Sequence, residues 1–128
     1  MLAVSGLESS PIYVVNNLTM ENNMSRTVYI LSDGGHNYDD AQRFGTIKFC
    51  NITVRNKDDI SQMYRELKEC LLYSDYEDLL LISSLTSLCC VATHILTELH
   101  GRVNFLLFHD GKYVERNLVY NDDQQENN

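Results

Sequence analysis

The chain has 128 residues, enough for one domain with a modest single core. It is 44% hydrophobic and 22% charged, an ordinary globular composition, and its formal charge of −8 leaves no basic footprint for a phosphate backbone. Non-specific nucleic-acid binding is therefore excluded, and no apolar run approaches the roughly 20 residues that span a bilayer.

The acidity is unevenly spread. Residues 24–120 hold 10 Lys+Arg against 13 Asp+Glu, and the other five acids are Glu8, Glu21, Asp122, Asp123 and Glu126. The first residues lack a charged stretch followed by an apolar one, so no secretory signal is expected and a cytoplasmic setting is. Cys50, Cys70, Cys89 and Cys90 form no CxxC pair. Their spacing reads as small, buried, reduced side chains with no metal or redox role.

Residues 1–23 contain no Lys or Arg, hold the only proline, Pro11, and show no sustained period. Met20-Glu-Asn-Asn-Met24 also suggests a feature of the gene. Met-Glu is encoded ATG-GAR, which contains GGAG or GGAA, a short distance before the ATG of Met24. The segment is thus either a flexible arm or a misassigned start, with Met24 the natural one. A domain is expected over 24–120, followed by a disordered acidic tail at 121–128.

Thr27–Leu31 is a short β-type run. Tyr38–Phe44 reads as a short helix with Asn37 as cap and Gly45 as terminator. A second strand is expected from Thr46 to about Val54. Asn56-Lys-Asp-Asp59 then opens a helix with acidic residues in its first turn, and its apolar stripe is Ile60, Met63, Tyr64, Leu67, Cys70 and Leu71. Asp78–Ser83 is a continuous apolar run, as in a strand covered on both faces. A second helix spans Thr86 to His100, terminated by Gly101. Val103–Phe108 is a strand, Asp110-Gly111 a hairpin turn, and Tyr113–Tyr120 a returning edge strand.

The order β-(short α)-β-α-β-α-β-β predicts a single three-layer α/β domain. Its sheet is mostly parallel, with a C-terminal antiparallel hairpin. Open α/β sheets hold ligands past the carboxyl ends of their strands. Three segments should emerge there together: the loop after Leu31, the Ser83–Ser87 turn, and the His109-Asp110 turn.

The loop Ser32–Gly45 is unusually long and rich in chemistry. Gly34 and Gly35 relieve the backbone, and His36 has the acid–base range for proton transfer or hydrogen bonding. Asp33, Asp39 and Asp40 suit a cation or ribose hydroxyls, and Arg43 suits a phosphate or carboxylate. The competing account makes Asp39 and Asp40 helix-start charges, with Arg43 their surface partner. Ser84, Thr86 and Ser87 stand at a helix start, where free N–H groups hold anions, or else they are routine caps. The segment has neither the glycines nor the Lys of a P-loop. Without GxSxG, a triad of Ser84, His109 and Asp110 is rejected. A metal would require His36, His109 and a carboxylate to converge, and none is expected.

Gly35-His36, Tyr38, Ala41, Phe44-Gly45, Asp78-Leu-Leu-Leu81, Ser83-Ser84, Gly101 to Leu106 and Tyr113-Val-Glu-Arg116 resemble a set of small, functionally uncharacterised α/β proteins. These occur in tailed bacteriophages and related bacterial genomes, and the resemblance covers about residues 26–118. Leu85 departs from the glycine expected in the Ser-rich turn, which weakens a phosphate cradle. The resemblance implies a phage setting, in the host cytoplasm, without supplying a mechanism.

The expected function is a module that binds a nucleotide-like or other anionic small molecule at the carboxyl edge of the sheet. Its ligand-binding residues would be Asp33, Gly35, His36, Asp39, Arg43, Ser84, Thr86 and Ser87. One alternative is a factor that binds a host or phage protein. The other is a phosphoester hydrolase using His36. Cofactor and oligomeric state stay open.

Overall fold

A computed structural model of the chain describes residues 25–120. The expectations for residues 1–23, for Met24 as start and for the 121–128 tail lie outside the described residues. The elements are β1 (Thr27–Ile30), a 3-10 turn (Asp39–Arg43), β2 (Thr46–Phe49), α1 (Ile60–Leu71), β3 (Leu79–Leu81), α2 (Thr86–His100), β4 (Arg102–His109) and β5 (Lys112–Val119). They form one five-stranded sheet in the order β2-β1-β3-β4-β5. The first four strands are parallel, and β5 runs antiparallel to β4. The α/β class, the element order and the terminal hairpin are as the sequence leads one to expect.

Strand order and handedness together fix the layers. The β1–β2 connection moves to one side along the sheet, whereas the next two crossovers move to the other. Right-handed crossovers then place α1 and α2 on one face and the 3-10 turn on the opposite face. Packing follows this division. Met63, Leu67 and Leu71 of α1 and Leu88, Ala92 and Ile95 of α2 pack with Tyr29, Leu80 and Val103. Tyr38 and Ala41 cover Val28, Ile30, Leu79, Leu81 and Leu106 on the other side. The third layer is thus a 3-10 turn and its loop rather than a helix. All three leucines of β3 are 0% exposed, as a central strand requires.

Local chemistry explains where the boundaries differ from expectation. β2 stops at Phe49, short of Val54, because Asn51 adopts a left-handed φ of 56° that breaks the strand. Asp58 and Asp59 precede α1 instead of opening its first turn. Asp59 is its cap, and its carboxylate accepts from the Gln62 N–H at 3.0 Å. Ile60 is 45% exposed and leaves the buried stripe. At the hairpin, Asp110 and Gly111 both have positive φ (51° and 87°), the geometry of a type I′ turn.

The cysteine expectation needs the largest correction. Cys50 and Cys70 form a disulfide across Cα atoms 5.7 Å apart, joining the end of β2 to the last turn of α1. Cys89 and Cys90 are free, Cys89 buried and Cys90 exposed. Spacing alone missed the pair because the cysteines lie 20 residues apart and meet only after the β2–α1 crossover.

The amino-terminal end of the sheet is tied by polar side chains. Asn104, 2% exposed, donates to the Tyr76 and Asp78 carbonyls at 2.9 Å each. Its own oxygen accepts from Arg102 at 2.8 Å and from Asn117 at 2.7 Å. Nearby, Arg26 grips Glu115 with two bonds, at 2.9 and 3.3 Å. Burial pushes the Glu115 carboxyl up, but the Arg26 pair and the Asn117 amide outweigh it and hold it below its ordinary range. A depressed carboxyl adds stability above its unfolded value, and loses it as pH falls through the folded one. Glu115→Gln should therefore cost about 1–2 kcal/mol at pH 7 and progressively less in acid. Urea unfolding of both chains at pH 7 and pH 3 tests this, and an equal gap at both pH values would contradict it.

Candidate functional site

β1, β2, β3 and β4 all point their carboxyl ends the same way, and the sheet reverses its winding between β1 and β3. That crevice is the topological switch point, where open α/β sheets hold ligands. A cavity of about 430 Å³ occupies it. Ser32 and Gly34 enter from the β1 loop, and Ser83, Ser84 and Leu85 from the β3–α2 turn. Ile52, Val54 and Lys57 line it from the β2–α1 connection, and Leu88 of α2 is also in its wall. Its wall is largely apolar, with three serines and one lysine among the lining side chains.

None of those serines caps α2. The cap position belongs to Leu85, which makes no side-chain cap hydrogen bond. Ser84 donates instead to the Ser32 carbonyl at 3.5 Å, tying the β3 turn to the β1 loop. Ser87 turns away to Met63 Sδ at 3.7 Å. Ser83 Oγ is buried and has no hydrogen-bond partner among the described residues. A buried hydroxyl without a partner is costly and calls for an explanation. The first-turn N–H groups of α2 carry the positive end of its dipole, and Lys57 adds a full charge. Just behind, burial pushes the Cys89 thiol up, with the Ser84 and Ser83 backbone opposing it, so that thiol is held neutral.

The site residues expected from sequence divide between two places. Asp33, His36 and Asp39 line a second cavity, of about 390 Å³, together with Tyr38 and Phe49. Gly35 stands in the loop between the two, at φ 81°, its N–H donating to Asp33 at 2.9 Å. Ser84 lines the switch-point cavity, and Thr86 is exposed at the start of α2. Arg43 is not brought together with Ser84. It donates to Asp40 at 3.0 Å and to the Tyr113 carbonyl at 2.6 Å, and it stacks on Phe44.

Asp40 completes that clasp by accepting from the Tyr113 N–H at 2.8 Å. The Arg43 hydrogen bond, then the Tyr113 N–H, hold its carboxyl below the usual range. The clasp fixes the 3-10 turn to β5, so these residues position the fold. His109 and Asp110 pair with each other at 3.2 Å, both largely exposed, and line neither cavity. Among the described residues no group of three or more His, Cys, Asp or Glu could hold a metal ion. Nor is any helix there long and apolar enough to cross a membrane.

A family model described as phage Pam3 gp32-like protein matches residues 10–120. The chain belongs to that family. The match spans β1 to β5, and so includes every residue lining the switch-point cavity of this phage Pam3 gp32-like protein. It also extends beyond the 26–118 stretch that carried the resemblance in the sequence. No curated protein and no solved structure matches the chain.

Sequence reasoning missed Ile52, Val54 and Lys57, and it placed Ser83 in the turn at this edge without naming it as a ligand-binding residue. The signal for the first three was available. β2 is parallel to β1, so its outgoing connection must leave at the same edge as the Ser-rich turn. Ser83 stands at the end of an apolar run, and its residue type alone does not show that its hydroxyl is buried.

Proposed function

We propose that this phage protein binds a small anionic molecule of nucleotide-like build in the switch-point cavity. The observation that carries the reading is Ser83, a residue of the cavity wall whose buried hydroxyl has no hydrogen-bond partner among the described residues, beside an uncapped helix start. The largely apolar wall suits a flat, weakly polar body. Lys57 and the α2 N–H groups suit a single anionic group. In this reading Ser84 orients the ligand, while His36 and Asp39 shape a neighbouring surface on the other side of the Ser32–Asn37 loop. No His, Asp or Glu lines the cavity with Ser83 and Ser84, and binding is the reading this favours over phosphoester hydrolysis with His36. The setting we infer is the host cytoplasm, where such a module would sequester or sense a host metabolite.

The test uses adenosine 5′-monophosphate (AMP), with adenosine as the uncharged control. AMP at a hundred times its Kd should stabilise the chain by about 2.7 kcal/mol, and adenosine should do far less. Lys57→Ala, at an exposed position, should weaken AMP binding about tenfold, a typical loss for a charge-assisted contact. Ser83→Ala should leave the free chain as stable or slightly more so, yet bind AMP less well. Thermal shift and calorimetry read all three. Equal effects of AMP and adenosine would overturn the anionic reading. A chain that ignores both compounds and co-purifies with a protein would favour the interaction factor.

A further inference from the structure

We infer that the Cys50–Cys70 disulfide is a redox gate on the switch-point cavity, opened by thiol–disulfide exchange with a small cellular thiol. The inference rests on reading that cavity as a ligand site, and it adds how binding there is controlled. The bridge closes the segment that supplies one wall. Ile52, Val54 and Lys57 all lie between the two cysteines, in the stretch without regular structure that precedes α1. At the β2 end, Cys50 and Ile52 donate their N–H groups to Ile30 and Leu31. At the far end Cys70 belongs to α1, which Leu67 and Leu71 hold against the core. The disulfide thus clamps the wall from below to a helix that is independently packed.

The bridge is also reachable. A separate cavity of about 350 Å³ is lined by both cysteines together with Lys48, Glu66 and Glu69. In a reducing compartment bridged cysteines are usually transient and redox-sensing. The exchange proceeds in two steps. A thiolate attacks one sulfur, the S–S bond breaks, and a mixed disulfide forms as the other cysteine leaves and takes a proton. A second thiol then attacks the small-molecule sulfur of that mixed disulfide, and the remaining cysteine leaves and takes a proton, so that two protein thiols and one oxidised thiol pair result. Two electrons and two protons enter the chain.

Reduction removes the clamp while leaving α1 docked through Met63, Leu67 and Leu71. The wall segment should then open locally, with no loss of the sheet. The experiment compares the full chain, oxidised and after treatment with dithiothreitol, by hydrogen exchange and by AMP titration. Cys50→Ser/Cys70→Ser serves as a permanently open form. Amide exchange over 51–59 should rise about tenfold while 86–100 stays protected, and AMP affinity should fall about tenfold, within the range of coupling between linked sites. Unchanged exchange over 51–59, or equal AMP affinity in both forms, would overturn the gate and leave the ligand site standing. An oxidised chain that binds no AMP would overturn the site, and the gate with it. Loss of far-UV dichroism on reduction would make the bridge a staple for the whole fold and overturn the gate.

Discussion

Asn104→Ala is expected to lower the unfolding free energy by about 3 kcal/mol, close to a third of what a domain of this size commonly has. The side chain is 2% exposed and sits in β4 opposite Asn117 of β5. Its two donated bonds, to Tyr76 and Asp78, secure the segment that leads into β3. Its oxygen gathers Arg102 and Asn117. Truncation strands two carbonyls and two donors at once, and unmade bonds of partly buried groups cost more than the net worth of made ones. Asn117→Ala, on an exposed residue, should cost only about 1 kcal/mol. Urea unfolding of the three chains reads both. A loss below 1 kcal/mol for Asn104→Ala would show that the network is dispensable.

Breaking the disulfide should cost about 3 kcal/mol in global stability, through the unfolded state. A loop of about 20 residues that is no longer closed returns chain entropy of that size to the denatured ensemble. For a domain of this length that is a fall in Tm of roughly 10–20 °C. Scanning calorimetry of the oxidised chain against Cys50→Ser/Cys70→Ser checks it, and matching Tm values would contradict the bridge. Global cost and local opening are separate quantities. A chain can lose this much and still be folded at 25 °C, which is the condition the gate requires.

These two features mark where the sequence was hard to read. Asn104 lies in an otherwise apolar strand, Val103 to Phe108, and no periodicity reveals which buried amide finds four partners. The disulfide pairs residues that come together only through a β2–α1 crossover. In contrast, α2 from Thr86 to His100, the Gly101 terminator and the Asp110-Gly111 turn were legible. Each rests on short-range chemistry: a terminal glycine at φ 71° and a turn needing two positive φ values.

The site was half legible for the same reason. The parallel run of the strands could be reasoned from their alternation with helices, so the Ser32 and Ser84 segments were expected at one edge, and Ser84 does reach the Ser32 carbonyl. Side-chain commitments could not be read. The competing account of Arg43 as a partner of Asp40 is the one the structure bears out, but nothing local says that Tyr113 completes the clasp, or that Ser83 is the hydroxyl left without a partner among the described residues. Residue type suggested charge for the Ser32–Gly45 loop, while tertiary contacts decided which of those charges hold the fold.

The central claim is that the start of α2 and the Ser83 hydroxyl take an anion. Amide chemical shifts of the oxidised chain, followed through a titration with AMP, test it most directly. Shifts confined to Ser32, Gly34, Ser83 to Leu88 and the 52–57 wall, absent in Ser83→Ala at the same concentration, are the result expected. Shifts scattered over the surface, or centred on His36 and Asp39 with the α2 start unmoved, would contradict it.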